Sequence, residues 1–122
     1  MYKGEVTTYK DLIYWKSSKE LAILVYKITE NFPKMEVFGL ASQMRRCAIL
    51  IPSNIAEGYR RMSRAEYKKF LTYSFGSGAE LETQLEISEE LGYITDRENF
   101  NFVYDKLQQI MKMLNVAIKK LN

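Results

Sequence analysis

Between positions 45 and 69 the chain carries Arg45, Arg46, Arg60, Arg61, Arg64, Lys68 and Lys69 against only Glu57 and Glu66. Guanidinium and ammonium groups at that density neutralise phosphate oxygens and release counterions, so the chemistry they offer is salt-sensitive binding of a polyanion. Tyr59, Tyr67 and Tyr73 are interleaved with them, and a tyrosine ring can stack on an unpaired base. The partner this composition suits is nucleic acid, RNA first, and the seven cations are its candidate contact residues. A solvated basic face with the tyrosines at the core edge accounts for the same residues, and composition leaves both readings open. The charge is concentrated all the same: residues 41–69 carry a net +5, against +1 for 1–40 and −3 for 70–122. An anionic partner is drawn to the middle of the chain.

Other chemistries find little support. The chain has no histidine, which excludes serine and cysteine triads built on imidazole and the Glu-x-x-His ligand pairs of di-iron bundles. The single cysteine, Cys47, cannot supply a zinc thiolate set or an internal disulfide. Glu80, Glu82, Glu86, Glu89 and Glu90 crowd one stretch. Glu82, Glu86 and either Glu89 or Glu90 share a helical face and could bind a hard cation, but a solvated face is the simpler reading. Glu57 and Glu80 lie nearer the apolar stripes, and each is expected to form an ion pair with Arg45 or Arg46. The expectation is therefore a protein that is not an enzyme, with no catalytic residue, no metal, no cofactor and no small-molecule substrate.

The elements that must position the cations are helices. In the stretch 39–61, Leu40, Met44, Cys47, Ile51 and Ile55 recur at intervals that place them on one helical face, with the arginines beside it. Pro52 interrupts this run; it removes a backbone donor and clashes one turn back, at a cost of roughly 3 kcal/mol if uncompensated. A kink is expected near 47–52, or else two short helices with Ser53 or Asn54 capping the second.

The first helix carries Leu21, Val25, Ile28 and Phe32 at helical spacing and stops at Pro33. Its Trp15 is read as packing on a neighbouring helix in preference to stacking on a base. A capping box over 63–66, Ser63 with Glu66, starts the third helix, whose inward face is Tyr67, Leu71, Ser74, Gly78, Leu81, Leu85 and Ser88. The small residues at 74–79 imply close approach of another backbone, near the bend of the second helix. Gly92 ends this helix, and a second box, Thr95 with Glu98, opens the fourth. That last helix bears Phe100, Val103, Leu107, Ile110, Leu114, Ala117 and Leu121. Tyr104, Met111, Met113 and Ile118 widen its apolar surface, either for a contact between subunits or for burial within the chain.

No strand pattern or repeat competes, so the fold expected is all-α: an up-down-up-down antiparallel four-helix bundle with the second helix kinked at Pro52. Residues 1–122 form one domain, with 1–12 as a flexible arm. The longest apolar run is 21–26, far short of the roughly twenty residues a spanning helix needs. A soluble, cytoplasmic protein with a buried thiol is expected.

Phe32-Pro33, Gly39-Leu40, Ser42-Gln43, Arg45-Arg46, Ile51-Pro52, Asn54-Ile55-Ala56-Glu57-Gly58, Gly76-Ser77, Glu80-Leu81-Glu82 and Leu91-Gly92-Tyr93 together resemble the 23S rRNA intervening-sequence protein family, also called the four-helix-bundle protein family. The resemblance runs from about Trp15 onward. It implies a four-helix bundle whose genes are associated with insertions in ribosomal RNA. Members, and the similar accessory proteins of diversity-generating retroelements, are ring-like homopentamers. A homo-oligomer is thus the implied assembly, serving as an RNA binder or as a protein-interaction scaffold for a nucleic-acid enzyme.

Overall fold

The computed structural model describes residues 5–122, which form four α-helices: α1 (Ile13–Thr29), α2 (Leu40–Arg60), α3 (Arg64–Glu90) and α4 (Arg97–Lys120). No strand occurs among the described residues. Each helix follows from an apolar stripe with a definite start and stop. Before α1, Thr8 and Asp11 cap a 3-10 turn, Tyr9–Asp11. The amide and hydroxyl of Thr7 hold the Asp11 carboxyl below its usual range. Residues 1–4 of the expected arm lie outside the described residues; further on, the Tyr9 ring meets Trp15 edge-on.

Helix α2 begins at Gly39, where Glu36 Oε1 accepts from the Leu40 amide at 3.1 Å in place of a side-chain cap. It runs unbroken through Pro52, so the two-helix alternative does not form. Asn54, one of its candidate caps, instead donates to the Leu50 carbonyl at 2.9 Å. Ser63 caps α3 by accepting from the Glu66 amide at 3.3 Å, while the Glu66 carboxylate pairs with Lys69 rather than reaching back to close a box. At the far end Gly92 adopts φ +78°, and the amides of Gly92 and Tyr93 donate to the carbonyls of Glu89 and Ser88. That is a Schellman stop, which a glycine enters without a Cβ penalty. The cap of α4 is Asp96, accepting from the Asn99 amide at 3.1 Å. The expected Thr95 box fails because the helix starts at Arg97, one residue too late for Thr95 to face the first turn.

The helices pack in a ring, α1 on α2, α2 on α3, α3 on α4 and α4 on α1. Side-chain pairs fix the sense of each contact. Along α2 and α3, Met44 meets Ser88, Cys47 meets Glu80 and Ile51 meets Ser74. Along α3 and α4, Glu82 meets Gln108 and Glu86 meets Tyr104. One number rises as the other falls in both series. Leu21, Val25, Met44, Ile51, Ile55, Leu71, Leu81, Leu85, Val103, Leu107, Ile110 and Leu114 are sealed from solvent in the centre. Burial on that scale is worth about 1.5–3 kcal/mol per side chain.

The small residues of α3 divide their work, which corrects the expectation that all of them face the α2 bend. Ser74 does so. Gly78 instead faces α4, where a Cβ would run into Met111 Sδ, and Gly76 faces open space.

Candidate nucleic-acid interface

The seven predicted cations form two groups. Arg45 and Arg46 stand about 22 Å along the α2 axis from Arg60 and Arg61, at 1.5 Å per residue. Arg45 is largely engaged within the bundle. Its Nε donates to Thr29 Oγ1 at 2.9 Å, its Nη2 donates to the Tyr26 carbonyl at 3.4 Å, and its guanidinium lies 4.8 Å from the Tyr26 ring centre. Arg46 is exposed and takes part in no hydrogen bond or ion pair among the described residues. The expected ion pairs of Glu57 and Glu80 with these arginines do not form. Glu57 pairs with Arg61 one turn on, at 3.1 Å, and Glu80 accepts from the Cys47 thiol at 3.4 Å. Burial, reinforced by Glu80, pushes that thiol's pKa up, so Cys47 stays a neutral core group.

The other five cations gather where α2 turns into α3. Arg60 lies over the Tyr9 ring and Arg61 over Phe70. Arg64 donates to the carbonyls of Lys120 at 2.6 Å and Leu121 at 3.3 Å, tying the end of α4 to the start of α3. Lys68 reaches Asn122 Oδ1, and Lys69 lies 3.1 Å from Glu66. Because α4 ends here, Lys119 and Lys120 join the group. Seven cations therefore crowd one end of the bundle, with Glu57 and Glu66 among them and Asp11 beside Lys120. The pairs with Glu57 and Glu66 are exposed, and exposed pairs contribute only about 0–1 kcal/mol, leaving the cations open to exchange partners. Met62, at the tip, is 95% exposed with φ +58°.

The tyrosines are divided as well. Tyr67 is half-buried, its hydroxyl bonded to that of Tyr14 and its ring edge-on to Tyr59. Tyr73 is exposed beside Phe70 and alone of the three presents much ring surface. The acidic residues collect towards the opposite end. Glu82 and Glu86 are held by Gln108 and Tyr104 of α4, and Glu89 by Arg97. Among the described residues no three carboxylate or thiol groups converge as a metal site would require.

Residues 10–116 match a family model described as 23S rRNA-intervening sequence protein. The chain belongs to this family. The match spans all seven cations predicted from the sequence. Among solved structures, the chain is similar to a protein of unknown function from the S23 ribosomal protein family of Bacteroides thetaiotaomicron VPI-5482. The two are 27% identical with a TM-score of 0.78, over 88% of this chain and 96% of the other. No curated protein matches.

In this intervening-sequence family member, Lys119 and Lys120 are the cations that reading along the chain missed. Their signal was present as a basic last turn of the last helix. Only the packing of the end of α4 against the start of α3, seen in the Arg64 bonds, brings them beside Arg64. No helix among the described residues is long and apolar enough to cross a membrane.

Proposed function

We propose that this protein is a non-enzymatic, cytoplasmic helical bundle that assembles as a homo-oligomer and binds nucleic acid, RNA first, through its basic end. The observation that carries the reading is the polarity of the bundle: Arg60, Arg61, Arg64, Lys68, Lys69, Lys119 and Lys120 at one end, with the glutamates of α3 clustering towards the other. A field of that shape attracts polyanions and orients them towards one end. The 23S rRNA named in the family's description supports the same partner. Assembly around a symmetry axis would multiply the positive surface by the number of subunits, five if this chain follows the family resemblance.

A second reading, a homo-oligomeric protein-interaction scaffold, is favoured by the connection between α1 and α2. There Phe38 is 96% exposed and Met35 79% exposed, an apolar projection suited to a protein contact. Fluorescence anisotropy of labelled structured and single-stranded RNA at low and raised salt separates the two. Binding that weakens steeply with salt supports the first reading. No binding at low salt, in a protein that sediments as an oligomer, rejects it in favour of the scaffold.

A further inference from the structure

The α1–α2 face carries an open groove of about 630 Å³ that none of the seven predicted cations lines. Its floor is low because Ala22, Pro52 and Ala56 offer short side chains between the two helices. Trp15, Tyr26 and Tyr9 stand around it, with Ile23 and Ile49 exposed on either side. Each ring already has a cation against its face: Lys19 is 5.2 Å from Trp15, Arg45 is 4.8 Å from Tyr26 and Arg60 is 5.4 Å from Tyr9. Lys27 adds a further cation, and Glu30 is the one carboxylate in the lining.

An apolar slot walled by aromatic rings and rimmed by cations suits a flat π-system carried on an anionic backbone. An unpaired nucleobase is such a group, since its faces are apolar and its neighbours are phosphates. A base inside a duplex is not, because both of its faces are already stacked. We propose that the groove accepts unpaired bases of single-stranded RNA, stacked against Trp15 and Tyr26, with the adjoining phosphates on Lys19, Lys27 and Arg60. The proposal rests on the nucleic-acid reading above and adds strand selectivity to it. Arg60 belongs to the basic end and lies over the ring of Tyr9, which lines the groove, so one strand can run from one to the other.

Trp15 is the chain's only tryptophan, so its emission reports on this groove alone. The full chain is titrated at low salt with fluorescein-labelled oligouridylate and, separately, with a labelled RNA hairpin, reading anisotropy and Trp15 emission together. The expected result is quenching of Trp15 by the single strand at the stoichiometry of binding, with little quenching by the hairpin stem. Tyr26→Ala should weaken single-strand binding about tenfold, the loss of one stacking contact, and leave stem binding unchanged. Ile23→Glu, at an exposed position, should do the same by placing a carboxylate in the groove. Anisotropy rising for both RNAs with Trp15 emission unchanged overturns the groove while leaving the basic end intact. If neither RNA raises anisotropy, both readings fail. Emission that shifts with protein concentration in the absence of RNA assigns the groove to a second copy of the chain and overturns the proposal.

Discussion

The Ser74 hydroxyl donates to the Ile51 carbonyl across 2.8 Å in the buried contact between α3 and α2, one residue before Pro52. A serine is small enough to let the helices close at this point and supplies a donor across the buried contact, whereas the carbonyl that Pro52 leaves without a helical amide is that of Ala48, one turn back. Ser74→Ala should therefore cost about 1 kcal/mol. Ser74→Val should cost more, in the range of about 1–3 kcal/mol, because it overfills the same contact. Urea denaturation of the two variants beside the wild type checks both the sign and the order.

Much of the bundle was legible because apolar spacing is a local property. The stripes of α2 and α4, the Ser63 cap and the Gly92 stop each depend on residues within a turn or two of one another. The partners of Arg45 were not legible, since Thr29 and Tyr26 lie on another helix and only packing brings them near. The Glu57 pairing was legible in principle, Arg61 lying four residues on, a spacing that favours a pair within one helix. The basic end was half visible: α2 and α3 contribute neighbours in sequence, whereas Lys119 and Lys120 arrive by topology alone.

The three glycines of α2 and α3 separate by what a methyl group would meet. At Gly76 nothing lies within 4 Å, so Gly76→Ala should stabilise by about 0.5–1 kcal/mol through helix propensity. At Gly78 the new Cβ would meet the flexible end of Met111, which can swing aside at moderate cost. At Gly58 it would fall 2.6 Å from Phe70 Cβ, an atom next to the backbone that cannot move independently. Thermal melting should rank the proteins Gly76→Ala, wild type, Gly78→Ala, Gly58→Ala, from most to least stable.

Tyr14 and Tyr67 share a hydroxyl contact between α1 and α3. Burial, followed by Tyr14, pushes the Tyr67 phenol above its ordinary value of 10.0, and burial does the same for Tyr14. A raised native pKa contributes stability that is complete below the unfolded value near 10 and disappears as pH climbs through the native one. Stability should accordingly fall above about pH 10. Tyr67→Phe should lower stability at neutral pH by about 1 kcal/mol and flatten that alkaline decline, as read by denaturant midpoints across the pH series.

Met62 holds a left-handed backbone conformation, φ +58°, just past the end of α2, where a glycine is usual. Its side chain is 95% exposed, so little packing is lost on removing it. Met62→Gly should stabilise the fold by about 1 kcal/mol by relieving the clash of Cβ with its own carbonyl, measured as a shift in the denaturation midpoint.

The basic end itself is tested by the salt dependence of RNA affinity in the Arg60→Ala, Arg61→Ala double variant beside Arg45→Ala. Log affinity against log salt should lose about 1.4 in slope for single-stranded RNA in the double variant, roughly 0.7 for each phosphate contact removed. Arg45→Ala should keep the wild-type slope and instead lose stability, since its guanidinium is committed to Thr29 and Tyr26. Equal slopes in the wild type and the double variant would contradict the account.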